Sequence, residues 1–410
     1  MVKINEHFLH LEENYLFINI ARKVEAFCKA HPEAKLIRMG IGDVTQPIAP
    51  VVAEAMKRAA DEMTVKETFR GYEDSGAGYD FLREAVSGYY RSFGADVPAG
   101  DIRINDGAKA DCGNLTDIFG DNIVLITTPA YPVYVDANRM AGRTVVYARS
   151  TPENGFAAMP DWEGYELEGE RVFPGVIYLC SPNNPTGSVY TREQLAEWIR
   201  FARAHDAVIL YDAAYEAFIQ DPALPRSIYE LEGAKEVAIE LCSLSKTAGF
   251  TGMRCGYTVV PSELTVQASD GTSVPLARLW GRRQGSKFNG VSYPVQRAAE
   301  AVFTPEGQRQ VREAIIYYQE NARIIGETLD ALGIPYTGGV HSPYIWLQCP
   351  FGLDSWTFFD RMLEEIAVVG TPGAGFGEGG DGWCRLTAFG DREATREAMQ
   401  RLRDWVSAGV

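Results

Sequence analysis

The chain has 410 residues, 46% hydrophobic and 23% charged, and its 39 Lys and Arg stand against 55 Asp and Glu for a net charge of −16. This is a globular composition, which excludes disordered and collagen-like chains, and the acidic balance argues against general binding to nucleic acid or anionic membrane, since both would repel it. Single domains commonly hold ~100–200 residues, so a chain this long is expected to divide its core.

The N-terminal stretch MVKINEHFLHLEENYLF has Glu6, Glu12 and Glu13 among its apolar residues. A signal peptide needs an uninterrupted apolar core, so this is not read as one. No run approaches the ~18 apolar residues of a membrane span. A soluble, cytoplasmic protein is expected. Cys28, Cys112, Cys180, Cys242, Cys255, Cys349 and Cys384 form no Cys-x-x-Cys pair, and five His fall in no ligand pattern. Reduced, mostly buried thiols and no metal site are the expectation.

From about Asp101 short apolar runs alternate with helical stretches. The runs 102–106, 122–127, 144–148, 175–180, 207–212, 237–243 and 255–260 read as strands. Several are apolar on both faces, as buried parallel strands are. Thr191-Arg-Glu-Gln194 is a capping box opening a helix to about Ala204. The pattern predicts an α/β fold, with a large unit over 48–290 built on a mostly parallel seven-stranded sheet. Residues 291–332 read as one long helical stretch. Strands at 344–348 and 383–389 flank a helix near 355–367, and Asp391 caps a last helix. With the N-terminal arm, residues 1–47 and 291–410 are expected to form a smaller α+β unit.

In open α/β sheets, ligands bind at the carboxyl ends of strands. Gly107-Ala108-Lys109 follows the first strand, and its backbone N–H groups could hold a phosphate. SPNNPTG (181–187), Asp212 with Ala213-Ala214-Tyr215, and SLSKTAGFTGMR (243–254) follow three others. Lys246 lies after a buried strand, among Ser243, Ser245 and Arg254. A lysine desolvated there falls below its usual pKa of about 10.4 and becomes a usable nucleophile. Most loop lysines are merely exposed, but serine hydroxyls and an arginine beside this one suit a phosphate. Pyridoxal phosphate requires a lysine, a phosphate cradle and a carboxylate for its ring nitrogen, and Asp212 fits the last role. Asp212 could equally cap the following turn.

These motifs resemble the class I/II aminotransferases, which are fold type I pyridoxal-phosphate enzymes. Asn184, Asp212 and Lys246 follow one another at 28 and 34 residues, as in that superfamily. MGIGDVTQP (39–47), PAYPVYVD (129–136), KFNGVSYPVQRAAEAV (287–302), SPYIWLQ (342–348), GTPGAGFG (370–377) and RLTAFG (385–390) are similar to the LL-diaminopimelate aminotransferase family over nearly the whole chain. The resemblance implies amino transfer from glutamate, which becomes 2-oxoglutarate, to tetrahydrodipicolinate, which becomes LL-diaminopimelate. It implies Lys246 carrying the cofactor, Asp212 at the pyridine nitrogen, Tyr131 stacked on the ring, and Asn184 and Tyr215 at the ring hydroxyl. Ala108, Lys109, Ser243, Ser245 and Arg254 would hold the phosphate. Tyr72 would reach the phosphate of a second subunit, so a homodimer with shared sites is implied. Arg385 would clamp the substrate α-carboxylate, and Gly42 would line the pocket. Tyr15, Lys109 and Asn289 would meet the distal end, with Asn289 also near the cofactor.

Read without the family, Tyr131 could sit in a simple turn, Tyr15 in core, and Asn289 in an Asn-Gly turn. Arg385 in an apolar strand is better explained by a ligand carboxylate. Arg282-Arg283 reads as a solvated face. One stretch departs from the family. GYEDSGAGYDFLRE (71–84) stands where the family has G-Y-G-P-E-Q-G before a Y-D-F-L-R-E helix; it adds a residue and lacks the glutamate that meets the distal ammonium. Glu73 or Asp74 could substitute. This keeps open another aminotransferase acting on aspartate or aromatic amino acids. A pyridoxal-phosphate lyase or decarboxylase would instead need no keto acceptor. A cofactor-sensing regulator would need a DNA-binding unit that the first hundred residues do not supply.

Overall fold

The computed structural model describes residues 2–11, 16–40, 42–73 and 75–409. Its largest sheet has seven strands in the spatial order Ile102–Asn105, Gly256–Val259, Ala238–Ser243, Val208–Asp212, Val176–Cys180, Val124–Thr128 and Val145–Arg149. Gly256–Val259 runs antiparallel to both neighbours and the other pairings are parallel. The four strands Val124–Thr128, Val176–Cys180, Val208–Asp212 and Ala238–Ser243 are buried along their whole length. Burial of both faces is why they read as unbroken apolar runs rather than alternating ones. Helix Arg192–Ala204 starts at the Thr191 capping box and turns Leu195, Trp198, Ile199 and Ala202 inward at helical spacing.

A second sheet pairs Tyr336–Gly338, Tyr344–Gln348, Trp383–Thr387 and Thr371–Pro372, all antiparallel. Asp354 and Asp391 cap helices Ser355–Ile366 and Arg392–Ser407 by accepting from their first free amides. The N-terminal segment joins this part of the molecule. Ile37–Arg38 pairs in parallel with Val368–Val369. Helix Leu16–Ala30 buries Leu16, Ile20, Val24 and Phe27 in a cluster with Trp346, Phe359 and Phe376. No helix of the described residues is long and apolar enough to cross a membrane.

The 291–332 stretch is two helices, Tyr293–Val302 and Pro305–Leu332. The break follows from Thr304 and Pro305. Thr304 accepts from the Gly307 amide at 3.0 Å, and Pro305 opens the second helix where no amide is needed. The chain turns so tightly that a Cβ on Gly307 would overlap the Ala301 carbonyl oxygen. Gly307→Ala is therefore expected to destabilise the protein by about 1–3 kcal/mol, as overpacking does. A lower midpoint in urea unfolding would show it. Helix Tyr293–Val302, placed by the sequence with the smaller unit, sets Val295, Ala298, Ala299 and Val302 in the core of the seven-stranded sheet. Helix Pro305–Leu332 then runs on from that core, through Val311, Ile315 and Tyr318, to the second one, through Ala322, Ile325 and Leu329.

Arg283 is also not on a solvated face. Its guanidinium bonds Asp117 at 2.9 Å and Asn114 Oδ1 at 2.6 Å, tying helix Leu276–Lys287 to the 115–118 turn. Arg282 is exposed. The seven cysteines are free, six of them buried and Cys28 exposed.

Candidate active site

Strand ends and the 42–43 segment enclose a cavity of about 420 Å³. It is lined by Gly42, Ala108, Lys109, Tyr131, Asn184, Asp212, Tyr215, Ser243, Ser245, Lys246, Arg254 and Arg385, all residues singled out above. Five separate loops converge here because parallel strands end on the same edge. Tyr72 and Asn289 do not line it, and both are exposed, Tyr72 at 85%. Tyr15 and Asp74 lie outside the described residues.

Lys246 sits on the one-turn helix Leu244–Thr247, which Ser243 caps through the Ser245 amide. Its ammonium donates to the Gly42 carbonyl and lies 5.7 Å from the centroid of Phe389. Burial brings its pKa down to about 8, opposed by Asp43 and helped by the positive charges of Arg385 and Arg254. The neutral amine is thus far more abundant near neutrality than for an exposed lysine. In the cofactor-free protein, acylation of Lys246 is expected to rise with pH through a midpoint near 8. Peptide mass spectrometry across pH 6–11 (about 0.5-unit steps) reads that midpoint, and a rise only near 10.4, the usual value, would contradict it.

Asp212 ends its strand with a buried carboxylate. Oδ1 accepts from the Ala214 amide at 3.0 Å and Oδ2 from the Tyr134 hydroxyl at 2.6 Å. The turn-capping role is therefore present, but it occupies only one oxygen. Burial raises the pKa, and the two donors lower it. Among the described residues no lysine, arginine or histidine pairs with this carboxylate. A buried acid with only neutral donors is suited to a cationic ligand group.

The opposite charge is gathered at Arg254. It donates to Ser245 Oγ at 3.1 Å and has no acidic partner among the described residues. Gly107 has φ 119°, and a Cβ there would overlap the Arg254 guanidinium. Glycine at 107 thus leaves Arg254 beside Ser243, Ser245 and the Ala108 amide. That donor set suits a phosphate.

Arg385 is 1% exposed. It donates to Asn184 Oδ1 at 2.6 Å and to the Gly40 carbonyl at 2.7 Å, while its Nε is buried without a partner. It lies 4.5 Å from the Tyr344 ring centroid and 4.9 Å from that of Phe376. No carboxylate of the described residues pairs with it. Asn184 reaches the Tyr215 hydroxyl at 3.5 Å, which meets the Tyr344 hydroxyl at 2.9 Å. A Cβ on Gly42 would stand 2.7 Å from that Tyr344 hydroxyl, so a side chain at 42 would have to displace it.

Tyr134 and Tyr344 are site residues that sequence reasoning passed over. Both lie within motifs it quoted, three residues after Tyr131 and two after Ser342. Each looks like an aromatic core residue when only its neighbours in sequence are known. Glu73 bends back onto its own loop, accepting from Ser75 N at 2.8 Å, from the Ser75 hydroxyl and from Gly78 N at 3.2 Å. Burial pushes its pKa up, but these donors hold it below the usual carboxylate range.

A lysine with depressed pKa, a buried acid without a cation, a phosphate-type cradle and a buried arginine without an acid fit pyridoxal phosphate and an amino-acid carboxylate. The family model for class I and II aminotransferases matches residues 34–402, and the chain belongs to that pyridoxal-phosphate-dependent family. It is 53% identical to an LL-diaminopimelate aminotransferase of Parabacteroides distasonis, covering 99% of this chain and 100% of the relative. It is 51% identical to one from Methanosphaera stadtmanae, covering 98% of each chain. Among solved structures, L,L-diaminopimelate aminotransferase from Chlamydomonas reinhardtii superposes with a TM-score of 0.89 at 39% identity, covering 98% of both chains.

Proposed function

We propose that the enzyme transfers an amino group between glutamate/2-oxoglutarate and tetrahydrodipicolinate/LL-diaminopimelate, in the biosynthesis of lysine and cell-wall precursors. One observation carries this. A chain 53% identical from end to end to a diaminopimelate aminotransferase gathers Lys246, Asp212, Arg254 and Arg385 around a single cavity.

Arg254, Ser243, Ser245 and the amides of Ala108 and Lys109 would hold the phosphate of pyridoxal phosphate. Asp212 would pair with its ring nitrogen, Asn184 and Tyr215 with its ring hydroxyl, and Tyr131 with its ring face. When bound, the cofactor supplies a carbonyl that takes up the amino group and a ring that accepts the electron pair left at Cα. Arg385 fixes the substrate α-carboxylate, to which its free Nε and its guanidinium edge are available. That contact orients the Cα–H bond toward Lys246. Lys246 Nζ, which burial makes more readily neutral than an exposed lysine, takes the Cα proton of glutamate as general base. In the second half-reaction its ammonium returns a proton to the Cα of the acceptor.

The reading includes a homodimer. Val65, Phe69 and Tyr72 are exposed on one segment at 48%, 59% and 85%, an apolar row that a second copy would cover. That copy would bring its Tyr72 to the cofactor phosphate, and Tyr15, Lys109 and Asn289 would meet the distal end of the substrate. Glu73 or Asp74 would meet the distal ammonium of diaminopimelate, Glu73 by giving up its contacts to Ser75 and Gly78.

The test uses purified enzyme loaded with cofactor and single amino acids. Conversion to the pyridoxamine form is followed by absorbance. LL-diaminopimelate and glutamate are expected to convert it, and meso-diaminopimelate, aspartate and phenylalanine are not. Conversion by aspartate or phenylalanine with none by LL-diaminopimelate would keep the chemistry of Lys246 and assign the altered 71–78 loop to another substrate.

A further inference from the structure

The mechanism above assigns nothing to Tyr134, yet its hydroxyl makes the shorter of the two hydrogen bonds on Asp212, at 2.6 Å against 3.0 Å. Tyr134 is 2% exposed. Its ring stacks on Tyr178 at 5.1 Å and 28° and meets Tyr131 edge-on at 5.8 Å. Asn138 donates to its backbone carbonyl at 2.8 Å, inside helix Val133–Met140. The phenol is thus fixed from several sides, and its one strong donor is aimed at Asp212.

We propose that Tyr134 is a positioning residue for transamination, keeping the Asp212 carboxylate ionised and oriented into the cavity. The proposal rests on the pyridoxal-phosphate reading of the site. A buried carboxylate must be stabilised by hydrogen bonds or a cation, or it takes up a proton. Before the cofactor binds, the Asp212 carboxylate has, among the described residues, Tyr134 and the Ala214 amide as its donors. Loss of the phenol leaves one amide to hold the charge. A protonated Asp212 cannot pair with a protonated ring nitrogen. Tyr134 also abuts Tyr131, so one side chain supports the residues proposed for the ring nitrogen and for the ring face.

The bland alternative is a core tyrosine whose hydroxyl has merely found an acceptor. Tyr134→Phe distinguishes the two, because it keeps the ring stacking and deletes only the donor. Removing a donor from the charged form raises the pKa of Asp212. Activity requires the ionised acid and fails as pH falls through that pKa, so the acid limb of the kcat profile should move to higher pH. A shift of about one unit, equivalent to ten-fold in proton affinity, is expected. A second readout needs no turnover. Binding of pyridoxal phosphate to the cofactor-free protein, followed by tryptophan fluorescence, should weaken about ten-fold below that limb and much less above it. An unshifted limb and a pH-independent change in affinity, with a lower unfolding temperature, would overturn the proposal in favour of the structural role. If wild-type protein neither binds pyridoxal phosphate nor transaminates any amino acid, the functional reading itself falls. If wild type does both and Tyr134→Phe moves neither limb nor affinity profile, only the role of Tyr134 falls.

Discussion

Lys246→Ala is expected to lower kcat by about 10,000-fold or more, because it removes the proton carrier at Cα, and general acid–base groups contribute up to that much. Cofactor binding should persist in non-covalent form. Arg254, Ser243, Ser245 and Asp212 are untouched by the change, and none of them depends on Lys246 for a hydrogen bond. Steady-state kinetics, with cofactor retention after dialysis measured by absorbance, separates the two effects. Turnover near the wild-type rate would exclude Lys246 from the chemistry. Complete loss of cofactor would show that the cradle alone is too weak to hold it.

Asp212→Asn is expected to cost about 100–1,000-fold in kcat, the range seen when one preorganised electrostatic contact is removed. The change keeps shape and burial and deletes the charge. The sign of the pH effect follows from burial, which raises the pKa of Asp212 in the cofactor-free protein. In the cofactor-loaded wild type, activity is present while Asp212 is ionised and is lost as pH falls low enough to protonate it. In Asp212→Asn nothing titrates there, so the acid limb assigned to Asp212 should disappear rather than move. A kcat–pH profile measured on both proteins decides this. An unchanged limb would assign the acid-side titration to another group.

Much of this was legible in the sequence because two physical signals coincide. Strands buried on both faces must be continuously apolar, so Val176–Cys180 and Val208–Asp212 announce themselves. The sheet's topology then places whatever polar residues follow each strand on one edge, which joins Asn184, Asp212, Ser243 and Lys246 from sequence order alone. Other features depend on contacts between distant segments. The break at 303–304 is a local exception, set by Thr304-Pro305 and the close approach of Gly307 to the Ala301 carbonyl, which the helical pattern on either side masks. Tyr134 and Tyr344 sit among apolar neighbours, where an aromatic residue filling core and one reaching a ligand site leave the same local pattern. Arg283 looks exposed until Asn114 and Asp117 are brought to it across 166–169 residues of chain. Tyr72 and Asn289 lie on the surface of one chain, so the chemistry expected of them is not displayed by a single copy.

Helix Pro305–Leu332 has a consequence for how the molecule comes apart. Its 28 residues span about 42 Å at 1.5 Å per residue, and its two halves are packed in different cores. Melting either core would strip the packing from half of a helix whose other half is still held. Helices in water owe most of their stability to such packing rather than to intrinsic propensity. The freed half would fray, and the fraying would run into the half the other core holds and weaken its packing as well. The two cores are thereby tied into one cooperative unit of opening. Amides from Val311 to Leu329 should then exchange with solvent at a common free energy, without a step at the crossing between Tyr318 and Ala322.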